Sequence, residues 1–298
     1  MQQSETMPAG LLPRSQYRLG LCLITASAIA WSTAGFFTRL IPLDNWTLLF
    51  WRGLFGALGV LLFMLCRDRR QAVAQFRTMG WPGWAFALVS AIGMMCFITS
   101  LTLTSVAHVA IIYGTVPFIA AALAWLMLRE SPSRSAIGAS VLALFGVMFM
   151  VGFGGDGGNW LGDALAFGMT LAMAGIMVIS RRYPGIPILA AACLSALLSA
   201  LACLPWAQIG DLPPTDLANL ALFGLVNSAL GLALFTMGAR MLPAIETALI
   251  GALDAPLAPI WVWLAFGEMP SRITLIGGGL VFAAVALHIT YSSRHLRA

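Results

Sequence analysis

Three charged side chains stand inside long apolar stretches of the sequence: Arg52, Glu246 and Asp254. Each would cost about 2.5–3.5 kcal/mol if left against hydrocarbon. Each must therefore face a protein interior or a watery cavity, where it can hold a ligand, carry a proton or clamp a helix. Asp254 has the richest setting. Thr247, Gly251, Asp254, Ala258 and Trp261 follow at steps of four, three, four and three, which puts them on one helical face. Gly251 and Ala258 leave room there, Asp254 supplies negative charge and Trp261 an aromatic wall. Pro256 and Pro259 remove two backbone donors and free carbonyls at the same depth. Such a face suits an ammonium group. It also suits close packing through its small residues, with Asp254 bonded to the neighbouring helix.

Glu246 could carry a proton or close a gate beside Arg240, and His108 could titrate near neutral pH or serve as a structural residue at a helix end. Arg52 reads either as a gate or as a clamp on carbonyls of a neighbour. Trp31, Tyr113, Asn227 and Ser228 lie far from any stretch end, so each needs a partner in another helix or in a ligand. With Met94, Met95 and Phe97 they could line a mostly apolar pocket with a few polar anchors, or pack as core. The phosphate-binding loop G-x-x-x-x-G-K is impossible in a chain without lysine, and there is no H-E-x-x-H. The five cysteines (Cys22, Cys66, Cys96, Cys193, Cys203) show no zinc spacing and read as small packing residues. No metal and no cofactor is expected.

The elements that position these groups follow from composition. Of 298 residues, 60% are hydrophobic and 9% charged, with a mean hydropathy of +0.91. A soluble domain carries about 25% charge, so the chain cannot cover itself with a polar skin. Ten apolar stretches occur, at 19–41, 46–66, 81–103, 105–129, 135–153, 161–180, 186–207, 217–239, 242–266 and 272–291. Each is near the ~20 residues that cross a bilayer as a helix. The expected fold is an all-α polytopic membrane protein whose surroundings are lipid. A soluble enzyme, a nucleic-acid-binding module and a disordered scaffold are excluded. The net charge of +5 reflects sixteen arginines against eleven acids, and every arginine but Arg52 lies at or between the ends of the stretches, a topology signal and not a nucleic-acid patch. Thirteen of them fall on one side, which is then cytoplasmic, and Arg39 and Arg272 on the other. Asp44, Asp156, Asp163, Asp211, Asp216 and Glu268 gather outside. Both termini are expected in the cytoplasm, with the protein in a bacterial inner membrane. Arg14 and Arg18 precede a first stretch too long for a signal-peptide core, so it reads as a retained helix.

The chain also repeats itself. Glu130-Ser-Pro-Ser-Arg134 returns 138 positions on as Glu268-Met-Pro-Ser-Arg272, and Trp125, Ala110 and Ile112 return as Trp263, Ala248 and Ile250. Five spans per copy is an odd number, so the second copy must enter the membrane inverted, with Glu130 and Glu268 on opposite sides. Inverted repeats belong to transporters whose halves rock about a site near the midplane. His108 and Glu246 occupy mirrored positions, titratable groups on either side of such a site. The expected units are a segment 1–18, a first repeat 19–153, a second, inverted repeat 154–291 and a tail 292–298.

These residues resemble the drug/metabolite transporter superfamily and its ten-helix EamA-type branch. The first span carries Trp31-Ser-Thr-Ala-Gly-Phe-Phe-Thr-Arg39, the second Arg52, and the fourth Pro117 followed by Glu130. The second copy has Gly162-Asp163 opening the sixth span, Pro256 and Pro259 in the ninth, and Gly267-Glu268 at its exit. The resemblance implies ten helices around a central cavity and export of small metabolites, with YddG-type exporters of aromatic and other neutral amino acids the nearest group. His108 departs from the small residue commoner at that place. A carrier of nucleotide sugars or sugar phosphates would need several cations in the cavity. An intramembrane enzyme would need a catalytic cluster at the interface, which the short loops do not offer. A passive channel fits the repeat and the prolines less well than alternating access. The expected partner is a small molecule, with proton coupling open and the oligomeric state undetermined.

Overall fold

The computed structural model describes residues 14–104, 106–151, 159–210 and 212–295. Expectations for the segment 1–13 and for Asp156, Asp211 and Arg297 lie outside those residues. Ten helices long and apolar enough to cross a membrane follow in order. They are Ser15–Leu40, Asn45–Cys66, Gly80–Leu103, His108–Leu128, Arg134–Val151, Trp160–Arg182, Ile188–Trp206, Pro214–Ala239, Ala244–Phe266 and Arg272–Tyr291. No strand occurs among the described residues. The protein is a multi-pass helical membrane protein, and its spans match the hydropathy blocks to within a few residues.

Local sequence explains where the spans begin. Asp44 accepts hydrogen bonds from the backbone N–H groups of Trp46 and Thr47, both at 3.0 Å, and so caps the second span. The repeated Glu-x-Pro-Ser-Arg block does the same work twice. Ser133 accepts from Ala136 N–H at 3.1 Å and Ser271 from Thr274 N–H at 3.1 Å, so each repeat's last span starts on the same cap. The connection at 67–80 is more ordered than a bare loop. It holds a short helix, Arg70–Thr78, bracketed by residues of positive φ, Arg69 (46°) and Gly80 (59°). Buried Ala72 and half-buried Phe76, four residues apart, seat it against the bundle.

Helix packing is symmetric under exchange of the two halves. The third span lies on the sixth and seventh, and its mate, the eighth, lies on the first and second. The fourth packs on the sixth, and the ninth on the first. Second with seventh, fourth with ninth and fifth with tenth pair across the axis. The last pair approaches through glycine. A Cβ on Gly146 would lie 2.7 Å from the Gly277 carbonyl oxygen, and one on Gly277 would lie 2.5 Å from that of Gly146. The two backbones therefore touch, as expected of the Gly277-Gly278-Gly279 run. Two inverted five-helix repeats result, with a cavity between them.

Candidate functional site

Both helices at the centre are broken, at mirrored positions. The fourth span divides into Val106–Tyr113 and Val116–Leu128, and the ninth into Ala244–Gly251 and Asp254–Phe266. The breaks at Gly114-Thr115 and Ala252-Leu253 lie 138 positions apart, the repeat offset. Pro117 and Pro256 follow closely and cannot supply the N–H that would close the turn. Between these breaks is a cavity of about 60 Å³, lined in part by Trp31, Tyr113, Gly114, Pro117, Gly251 and Asp254. Ligand pockets usually measure about 300–1,000 Å³. In this conformation the site is closed down and must widen to admit more than a few waters.

Asp254 brings the only carboxylate to this wall, and no cation pairs with it among the described residues. The rest of the lining is chiefly apolar: Met173, Met177 and Phe235 complete it, with Phe235 against Trp31 at 4.8 Å between centroids. Behind Trp31 sits a cation. Arg52 is 9% exposed and donates from Nη1 to Asn227 Oδ1 at 2.9 Å and from Nη2 to Met94 Sδ at 3.2 Å. Its guanidinium lies over the Phe223 ring at 5.4 Å, its Nε has no hydrogen-bond partner, and no carboxylate among the described residues pairs with it. Asn227 links this cation to the cavity wall. Its Nδ2 donates to the Trp31 carbonyl at 3.2 Å, and its own carbonyl accepts from Trp31 Nε1 at 3.0 Å. The eighth span is wound as a π-helix over Gly224–Gly231, which turns these carbonyls toward the first span. A Cβ at Gly231 would lie 2.6 Å from Trp31 Nε1, so only glycine lets the indole in.

Polar pairs close the bundle at both ends. At the end rich in arginine, Glu130 holds Arg181 Nε with both carboxylate oxygens at 2.8 Å, and Arg181 Nη1 donates to the Leu242 carbonyl at 2.9 Å. Beside it, Tyr17 donates to Glu246 Oε2 at 2.8 Å while His288 Nε2 approaches Glu246 Oε1 at 3.5 Å. At the other end Arg39 meets Glu268 at 2.6 Å, and Asp163 accepts from Thr104 at 2.8 Å with His108 Nδ1 at 3.1 Å. Tyr17–Glu246, Ser32–Trp261 and Arg39–Glu268 each span 229 residues. That constant separation means the first and ninth spans run parallel along their whole length. Glu130 and Glu268 consequently mark opposite ends of the bundle. The two ends differ in strength. Arg181 and Glu130 are 18% and 25% exposed, Arg39 and Glu268 58% and 50%, so solvent weakens only the second pair.

Of the residues singled out from sequence, Trp31, Tyr113, Pro117, Gly251 and Asp254 line the cavity. Met94 and Asn227 stand behind it with Arg52, bonded to the side chain of Asn227 and not to helix carbonyls. Phe97 is half-buried away from the cavity, and Ser228 packs where the second span approaches at Gly56. The continuous face drawn through the ninth span is corrected by its break. Gly251 and Asp254 reach the cavity, whereas Ala258 and Trp261 face the first span, Trp261 Nε1 donating to Ser32 Oγ at 2.8 Å. Pro259 sits inside the continuing helix past the break. Glu246 does not meet Arg240, which instead donates to the Ile186 carbonyl. Cys22 and Cys66 are exposed, not packed inside. The geometry adds Met173, Met177 and Phe235 at the cavity, and Tyr17, Arg181 and His288 at the ends. The repeat offset could have found the end pairs, since it maps Glu130 onto Glu268 and so demands a basic partner for each.

Comparison with known proteins agrees with this arrangement. The chain is 29% identical over 278 residues to an uncharacterized transporter, YwfM, of Bacillus subtilis (strain 168), covering 87% of this chain and 89% of that one. A solved crystal structure matches with a TM-score of 0.78 at 18% identity, covering 94% of this chain and 99% of the other, and so shares the fold. The EamA-like transporter family matches twice, over residues 18–152 and 160–290, once for each half of the bundle. Two copies of one helical unit, closed around a shared cavity, place the chain in the EamA-like transporter family.

Proposed function

We propose that the protein exports small zwitterionic metabolites, neutral or aromatic amino acids of the kind moved by YddG-type exporters, by alternating access. The observation that carries this reading is a pair of separated ionisable side chains, neither with an oppositely charged partner among the described residues. Asp254 faces the cavity without a cation, and Arg52 lies buried behind Trp31 and Asn227 without a carboxylate. Leaving either charge unpaired at this depth is costly, and a zwitterion offers each its complement. The apolar lining of Met173, Met177 and Phe235 suits an uncharged side chain. Alternating access is supported by the mirrored breaks, which let the half-helices of each repeat tilt about the cavity, and by polar closures at both ends. The arginine-rich end faces the cytoplasm of a bacterial inner membrane, following the positive-inside rule. In that orientation the more buried pair, Arg181–Glu130, closes the inner side. Glu246–His288 and His108–Asp163 put one titratable pair at each end and support proton coupling.

Reconstitution into liposomes with a panel of labelled amino acids, each run with and without a pH gradient, tests the reading. Saturable flux of neutral amino acids that an inward proton gradient accelerates is expected. Flux confined to sugar phosphates would move the protein to another substrate class, and equal flux with and without the gradient would remove the protons.

A further inference from the structure

At the arginine-rich end, where the fourth and sixth spans finish, an open basin of about 400 Å³ is walled by Met127, Leu128, Arg129, Glu130, Arg181 and Arg182. Three cations here face one carboxylate. Glu130 is committed to Arg181, leaving Arg129 and Arg182 exposed, with no carboxylate among the described residues paired to either. Arg129 ends its helix in the left-handed conformation (φ 56°), and the Arg182 guanidinium lies 6.0 Å from the Tyr183 ring. The surface beside the basin is apolar and open: Trp125 is 61% and Leu126 71% exposed on the last turn of the fourth span. A basic basin therefore adjoins a hydrocarbon-facing surface at the level where the spans end.

We propose that this basin seats an anionic phospholipid, its headgroup phosphate between Arg129 and Arg182 and its acyl chains along Trp125 and Leu126. Guanidinium groups bind phosphate oxygens in bidentate fashion, and basic pockets between spans at headgroup depth take acidic lipids. The apolar flank selects a lipid over free phosphate, which gains nothing from Leu126. The inference is independent of which metabolite is carried. It does bear on the inner closure, because Arg181 and Glu130 are part of the same wall.

Native mass spectrometry of the purified full chain, offered equal phosphatidylglycerol and phosphatidylcholine, tests the seat. The wild type should retain phosphatidylglycerol preferentially. Arg129→Asn combined with Arg182→Gln should cut that preference about tenfold, and Arg182→Gln alone should cut it in part. Arg77→Gln should leave the preference intact. Arg77 lies on the short helix at the same end, where Trp81 contacts Tyr183 at 5.2 Å, and so controls for bulk charge. Gel filtration of each variant confirms that it is folded. No headgroup preference in the wild type, equal loss in Arg77→Gln, or displacement of the lipid by millimolar inorganic phosphate would each overturn the proposal.

Discussion

Asp254 and Arg52 define the chemistry at the scale of single residues. Each is an ionisable group that the fold leaves without an opposite charge among the described residues; Asp254 shares the cavity wall with Trp31, and Arg52 reaches that indole only through Asn227. Asp254→Asn keeps the shape and removes the charge, so transport of a zwitterion should fall by about tenfold or more while the amount of folded protein in the membrane holds. Uptake assays beside quantitative blotting read both; parallel loss of the two would make Asp254 a structural residue. Trp31→Ala should change the ranking of substrates, because Trp31 forms the partition between the cavity and the Arg52–Asn227 pair. Competition assays with a series of amino acids check this, and an unaltered ranking contradicts it. The types and depths of these residues were legible in the sequence. Their division into a cavity wall and a supporting layer was not, because it depends on which side of a helix break each one falls.

Helices set the mechanical behaviour. The spans could be read from hydropathy, since a ten-pass protein must show each crossing as an apolar block. Pro117, Pro256 and Pro259 pointed to kinks in the fourth and ninth spans; the structure instead interrupts each span just before the first of its prolines, at Gly114-Thr115 and Ala252-Leu253, and Pro259 stays within a helix. A periodicity argument carried across residue 252 therefore assigns Trp261 to the wrong neighbour. The π-wound segment of the eighth span was not read from the sequence; its carbonyls are met by donors distant in the chain, Ser27 Oγ to Gly231 O at 2.8 Å among them. Gly277→Ala should cost about 1–3 kcal/mol through overpacking against the Gly146 carbonyl. Thermal unfolding in detergent measures it, and an unchanged Tm would show that the fifth and tenth spans separate freely. The end closures should respond unequally. Glu130→Gln, which strips Arg181 of a half-buried partner, should destabilise by about 1.5–3 kcal/mol. Glu268→Gln at the exposed pair should change stability by less than about 1 kcal/mol. Equal shifts in Tm would mean that burial does not distinguish the two ends.

The whole molecule is two copies of one five-helix unit, inserted in opposite senses and closed on a cavity of about 60 Å³. Repetition was the feature that made the architecture readable: one block, Glu130-Ser-Pro-Ser-Arg134, returning at Glu268, implied two five-span copies of opposite sense with Glu130 and Glu268 at opposite ends. Exact symmetry between the halves would make the two ends alike. Here the arginine-rich end is held by Arg181–Glu130 and by Tyr17, Glu246 and His288 together, whereas the other end has the exposed Arg39–Glu268 pair and the half-buried Asp163 with Thr104 and His108. Opening one end should therefore accompany closing of the other about the central breaks. Paired spin labels in a variant with the five native cysteines replaced report this directly: one pair at Thr38→Cys and Met269→Cys beside the exposed closure, another at Met127→Cys and Arg182→Cys beside the buried one. Double electron–electron resonance in lipid nanodiscs, with and without transported substrate, should show the two distances shifting in opposite directions. Distances that lengthen together, or that ignore substrate at both ends, would contradict alternating access about this cavity.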